Sequence, residues 1–233
     1  MSEKPVMGIT GTSRGIGRFL AEYYTQRDWI VMGCSRSDND FVHESYHHEN
    51  INITQEDEVI RWIRNGYKKF GRIDTMINNA GTARMNHSLL TPCKTIDLVM
   101  DLNVKGTMLV CREVGKIMIR QHFGRIINFS SIAVTLALEG ESVYVASKAA
   151  IENYSRVLAR ELAQWNITVN VIAPLPIKTD LIKEVPEEKL QGLLERMVIK
   201  RYGTFEDISN VLNFFLSPNS SAITGQIITL GGW

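Results

Sequence analysis

The sequence predicts an α/β fold, a doubly wound parallel sheet of about seven strands flanked by helices, in a single domain over residues 1–233. Three observations lead there. Short apolar runs alternate with longer amphipathic ones along the chain. The apolar runs are near-continuous, as in strands covered on both faces. No linker, repeat or low-complexity tract divides the 233 residues, which suffice for one full core and not for two.

The elements follow in order. "VMGIT" (6–10) reads as the first strand and residues 15–26 as the first helix; "WIVMGCS" (29–35) is the second strand. The connector from Arg36 to Asn52 is polar and short for a crossover, so its helix is expected to be stunted or missing, leaving an open rim. "NINIT" (50–54) follows as a strand, with a helix over 56–70, then "DTMINN" (74–79) with one helix over 95–120. The series closes with "RIINFS" (125–130), a helix over 143–164, "TVNVIAP" (168–174), a helix over 205–216 and "GQIITL" (225–230).

Composition narrows the function. A net charge of +1 gives no field for nucleic acid or an anionic membrane, and no run approaches the roughly 18 apolar residues of a membrane span. Cys34, Cys93 and Cys111 are scattered and odd in number, which suits a reducing compartment, and "MSEKPVMGITG" has no apolar signal core, so a cytoplasmic protein is expected. In "FVHESYHHE" (41–49), His43 and His47 would share a helical face with Glu44 and His48 nearby, but no helix is secure there, and a polar rim without metal is expected.

"MGITGTSRGIG" (7–17) places Thr10, Gly11, Ser13, Arg14, Gly15, Ile16 and Gly17 between a buried strand and a helix. Glycines there let the backbone approach a pyrophosphate, whose charge meets the free N–H groups of the helix start. The expected ligand is therefore a dinucleotide on a Rossmann-type sheet. An acidic residue at the end of the second strand would suit a ribose 2′-hydroxyl, and cations a 2′-phosphate. Arg36 at that position and Arg14 in the turn favour NADP(H); Asp38 and Asp40 keep NAD(H) as the alternative.

"SSIAVTLALEGESVYVASK" (130–148) sets Tyr144 one helical turn before Lys148 and thirteen residues after Ser131. The pair alone is weak. Together with "TGTSRGIG" (10–17), "NNAG" (78–81), Asn103 in "DLNVKG", "NVIAP…T" (170–179) and "SAITGQIITLGG" (221–232), it resembles the short-chain dehydrogenase/reductase family in its compact single-domain branch. The resemblance covers essentially the whole chain in order and is closest to 3-oxoacyl-[acyl-carrier-protein] reductases of fatty acid biosynthesis.

The resemblance implies an NADPH-dependent reduction of a ketone to a secondary alcohol. Tyr144 would protonate the substrate oxygen, Ser131 would hydrogen-bond it, Lys148 would lower the phenol's pKa, and Asn103 would hold a water linking Lys148 to solvent. Tyr144 and Lys148 also count as cofactor contacts, Lys148 through the nicotinamide ribose. Asn52 and Ile53 would meet the adenine, Asn79, Ala80 and Gly81 the ribose, and Pro174, Ile177 and Thr179 the nicotinamide. Leu175 stands where the family usually has glycine, which is expected to reshape that loop or line the substrate pocket.

Residues 180–201 occupy the family's substrate lid, mixed apolar and charged. Arg84, Lys105, Arg112, Lys116 and Arg120 could meet an acidic acyl carrier protein. Another small carbonyl or a polyol, sugar-derived or a secondary metabolite, is the alternative substrate. A non-catalytic dinucleotide sensor on the same fold should lack Tyr144, Lys148 or Ser131, and all three are present. The resemblance also implies a homodimer or homotetramer through the helices bearing Asn103 and Tyr144.

Overall fold

The computed structural model describes residues 4–183 and 185–232. In chain order, β1 (Val6–Thr10), α1 (Gly15–Thr25), β2 (Ile30–Ser35), β3 (Tyr46–Asn50), α2 (Glu56–Phe70) and β4 (Thr75–Asn78) form the first half. The second half holds α3 (Cys93–Met100), α4 (Thr107–Gln121), β5 (Gly124–Phe129), α5 (Ile132–Leu136), α6 (Ser142–Leu162), β6 (Ile167–Ala173), α7 (Glu187–Arg196), α8 (Phe205–Leu216) and β7 (Ile227–Thr229). All strand pairs are parallel, and the sheet order is β3-β2-β1-β4-β5-β6-β7.

Strand periodicity explains the layers. Val6, Met76, Ile126 and Val169 face one side, against Trp62 of α2, Val114 of α4 and Leu158 of α6. Their neighbours Met7, Ile77 and Ile127 face the other, against Leu20 of α1 and Leu212 of α8. Both faces are covered, as the near-continuous apolar runs require. Ile132, Leu136, Leu175, Leu194 and Met197 form a third cluster beneath α7.

Helix ends follow from sequence. α2 opens on Glu56, Asp57 and Glu58, closes on Lys68 and Lys69, and stops at Gly71 in the left-handed region, so its charges oppose the macrodipole at both ends. α8 starts at a capping box in which Thr204 N–H donates to Asp207 (2.8 Å) and Asp207 N–H donates to the Thr204 hydroxyl (3.3 Å).

Three expectations need correction. The third strand is "YHHEN", not "NINIT": at the sheet edge it pairs only with β2, from Val31↔Tyr46 to Ser35↔Asn50, and tolerates polar side chains there. Ile51 and Ile53 fill the core from the turn that follows. The expected helix over 95–120 is interrupted by a π-helical stretch at Asp101–Gly106, and α5 and α7 were not foreseen. The stunted connector was foreseen, and no helix lies between β2 and β3 among the described residues.

His47 and His48 are consecutive in β3, so their rings point to opposite faces, and the helical His43/His47 pairing does not form. Among the described residues no group of three His, Cys, Asp or Glu is placed to hold a metal ion, and no helix is long and apolar enough to cross a membrane.

Gly17 lets α1 press onto the turn before it: a Cβ there would lie 2.1 Å from the Gly11 carbonyl oxygen. Gly192, exposed on α7, has nothing within 4 Å of such a Cβ. Gly192→Ala is therefore expected to raise stability by about 0.5–1 kcal/mol, and Gly17→Ala to lower it by more than about 1 kcal/mol, in urea unfolding. Equal effects of the two substitutions would contradict this packing.

Candidate active site

Strand order reverses between β1 and β4, so the loops leaving their carboxyl ends diverge and open a crevice. A side-chain seam closes its floor. The Thr10 hydroxyl accepts from Asn79 N–H (3.1 Å) and Ala80 N–H (3.0 Å), and the Asn79 amide donates to the carbonyls of Thr10 (3.0 Å) and Gly11 (3.2 Å). Gly11 turns with φ 76° against the Ala80 backbone, a conformation and a contact that glycine alone accommodates.

The start of α1 faces this crevice without a side-chain cap, unlike α8, and without an acidic residue in its first turn, unlike both α2 and α8. Its N–H groups and positive dipole end, at Gly15, Ile16 and Gly17, are thus open to an anion, and the residues present fit a dinucleotide pyrophosphate. Ser13 is partly buried beside them, and Thr179 packs over Gly15.

At the end of β2 the two acids are committed elsewhere. Asp40 pairs with Arg18, which holds its carboxyl below the usual range, and Asp38 accepts from the Asn50 amide. Arg36 is exposed. Arg14 forms an exposed ion pair with Asp180 at 3.3 Å. Asn52 donates its N–H to Glu58 (2.6 Å), and its side chain accepts from Thr54; Ile53 turns its side chain into the core against Gly106, which leaves only its backbone for a ligand.

Ser131, Tyr144 and Lys148 come together where β5 ends against α6. Ser131 caps α5, its hydroxyl accepting from Ala133 N–H (3.2 Å), and it lies close enough to the Tyr144 phenol to draw its pKa down. Lys148 is buried, and its Nζ donates to the Phe129 carbonyl at 2.9 Å, 5.8 Å from the Tyr144 ring centroid. Burial pushes the Tyr144 phenol up to about 12, with Ser131 pulling it down and Glu141 pushing it further up. Burial also pushes Lys148 down to about 8. Desolvation dominates the Tyr144 shift, Lys148 is not among its causes, and the amine donates to a carbonyl.

Asn103 lies in the π-helical stretch, buried. Its side-chain oxygen accepts from Thr82 N–H (2.8 Å), and its amide donates to the Thr82 carbonyl and the Ser147 hydroxyl (both 2.9 Å). Both amide hydrogens are spent on protein, so the side chain is a strut between α6 and the loop after β4. Gly81 is at this junction: a Cβ there would lie 3.2 Å from the Asn103 oxygen and 3.4 Å from Lys148 Nζ.

Pro174 and Ile177 follow β6, Pro174 partly exposed and Ile177 buried. Leu175 is 4% exposed and packs on Ile132, Leu136, Leu194 and Met197, so it anchors the lid from below instead of lining the crevice. The basic residues of the expected carrier face are largely ion-paired. Lys105 pairs with Asp101, Arg112 with Glu56 and Glu113, and Lys116 with Glu113, which leaves Arg84 and Arg120 as the exposed cations of that set outside an ion pair among the described residues. Sequence reasoning missed Glu141, Ser147, Lys189 and the Phe129 carbonyl. Only Glu141 had a signal, its place one turn before Tyr144.

A family model described as enoyl-(acyl carrier protein) reductase matches residues 11–232. The chain is 33% identical over 234 residues to the 3-oxoacyl-[acyl-carrier-protein] reductase FabG of Staphylococcus epidermidis, covering 96% of each chain. It is 30% identical over 230 residues to that of Escherichia coli, covering 96% of this chain and 94% of the relative. The solved structure of ElxO with NADP bound superposes with TM-score 0.90 at 26% identity, covering 97% of each chain. Thermoplasma acidophilum aldohexose dehydrogenase, at 24% identity and TM-score 0.89 over 99% of this chain and 94% of its own, bears on the fold alone.

A buried amine leaves a signature in stability. Lys148 holds its proton to about 8 when folded, against about 10.4 in the unfolded chain, so the unfolded state binds more protons in that window. Stability from this group is present above the unfolded value and lost as pH falls through the folded one. The stability difference between wild type and Lys148→Met should therefore move in favour of wild type by about 3 kcal/mol from pH 7 to about 10.5, read by urea unfolding. A difference flat across that range would contradict the burial.

Proposed function

The chain belongs to the short-chain dehydrogenase/reductase family, and on that footing we propose that this oxidoreductase uses NADPH to reduce a ketone, its substrate a 3-oxoacyl thioester carried on an acyl carrier protein. The observation that carries the reading is the Ser131–Tyr144 contact with Lys148 one turn behind it, at the mouth of the crevice.

The bound nicotinamide would supply the hydride. Tyr144, protonated at neutral pH as any phenol is, donates its proton to the oxygen that becomes the alcohol. Ser131 holds that oxygen and shares the developing charge. Lys148 offers a positive charge to the phenolate left behind and a donor to the ribose hydroxyls. Asn103 fixes α6 to the crevice wall through Ser147 and Thr82, and the water that returns a proton to Lys148 falls to its backbone.

The choice of NADPH is supported by what surrounds Arg36. Arg36 is exposed at the end of β2 and makes no ion pair among the described residues, so it can meet a 2′-phosphate, while Asp38 and Asp40, the two acids that could bind a ribose 2′-hydroxyl, contact Asn50 and Arg18 at the surface. Arg14 joins it by leaving Asp180, an exposed pair that holds it weakly. Gly11, Ser13, Gly15, Ile16 and Gly17 would hold the pyrophosphate, Asn52 and Ile53 the adenine, Asn79, Ala80 and Gly81 the ribose, and Pro174, Ile177 and Thr179 the nicotinamide.

The thioester substrate rests on the relatives and on the lid of residues 180–201. The ion pairs of Lys105 in the π-helical stretch and of Arg112 and Lys116 on α4 favour a second reading, another small carbonyl taken without a carrier protein. Self-association is proposed through the groove of about 330 Å³ lined by Met100, Val104, Met108 and Leu109.

Tyr144→Phe should cut turnover by about 10²–10⁴-fold while NADPH affinity stays close to that of wild type, measured by steady-state rates and fluorescence titration. Unchanged turnover would sink the assignment. Arg36→Ala should weaken NADPH binding far more than NADH binding in the same titration; equal losses would reject the 2′-phosphate contact.

A further inference from the structure

Glu141 immediately precedes α6, one helical turn before Tyr144. Its loop is fastened to the segment after β4, where Asn86 N–H donates to the Gly140 carbonyl at 2.8 Å. The Lys189 amine of α7 reaches the Met85 sulfur at 3.3 Å, so three segments close around one mouth and bring Met85, Glu141 and Lys189 to it.

Glu141 is partly buried there, yet its carboxylate makes no hydrogen bond or ion pair among the described residues. It does not cap α6 either, which removes the ordinary reason for an acid at a helix start. Burial pushes this carboxyl up and Lys189 draws it back, while its charge is felt at the Tyr144 phenol. The carboxylate thus stands at the mouth partly withdrawn from water, with its acceptor oxygens uncommitted to any protein donor among the described residues and open to a donor that enters the crevice.

We propose that Glu141 determines substrate specificity: its carboxylate accepts a hydrogen bond from an N–H, O–H or ammonium group that the ketone carries about one helical turn from the reacting carbonyl. The inference rests on Tyr144 being the acid. The donor has two sources, the amide N–H of a pantetheine-type thioester arm or a polar group on a small free ketone.

Two matched pairs of ketones separate them. Acetoacetyl-N-acetylcysteamine carries an amide N–H that S-butyl thioacetoacetate lacks, and 1-methyl-4-piperidone is cationic where 4-methylcyclohexanone is neutral. Wild type should prefer the donor-bearing member of one pair in kcat/KM for NADPH-dependent reduction, and the pair concerned names the source. Glu141→Gln should collapse that preference by about ten- to a hundred-fold, the loss expected for a hydrogen bond to a charged group. A preference unmoved by the substitution, or equal losses for both members, overturns the inference alone. Should wild type reduce none of the four ketones, the reading of Tyr144 as the acid fails and this inference with it.

Discussion

Everything functional in this chain depends on the reversal of strand order between β1 and β4. Parallel strands need crossovers, and crossovers that leave in opposite directions part the loops at the carboxyl edge. The seam of Thr10 and Asn79 bonds holds the floor of the opening, and the uncapped start of α1 faces it. Without that reversal, Gly11 and Gly81 would belong to unrelated turns. With it, they stand on two sides of one crevice.

Burial sets the chemistry laid over that crevice. The same desolvation pushes the Tyr144 phenol up to about 12 and the Lys148 amine down to about 8. Both shifts disfavour charge, so the free protein holds a protonated phenol beside an amine whose positive form is strained. The Phe129 carbonyl keeps the amine in place, and its attraction only partly offsets the loss of water. A phenol in this condition holds its proton more tightly than one in water, and only a positive charge close to its oxygen would ease the proton's release.

Much of the fold was legible in the sequence because two-sided burial writes itself as continuous apolar runs, and because α2 carries its own start and stop charges. The edge strand was misplaced for the converse reason: Tyr46–Asn50 needs little apolar content when only β2 pairs with it. Asn103 was legible as a motif residue, but the π-helical stretch that turns it toward Thr82 and Ser147 was not, since a single extra residue per turn leaves no periodic mark. Ser131, Tyr144 and Lys148 were placed together as expected. The direction of the Tyr144 shift was not foreseen, because spacing shows a neighbouring charge but not how completely both groups are withdrawn from water. Leu175 likewise read as a departure at the crevice, while its contacts lie in the cluster under α7.

The central claim is that the cluster of Ser131 with the buried Tyr144 and Lys148 makes an NADPH-dependent ketone reductase. NADPH oxidation by the purified protein with an acetoacetyl thioester, run beside NADH and cyclohexanone, tests it most directly. The account predicts turnover that requires NADPH and is fastest with the thioester. Tight binding of NADPH with no oxidation by any ketone would contradict it, leaving a dinucleotide-binding protein whose buried phenol serves another end.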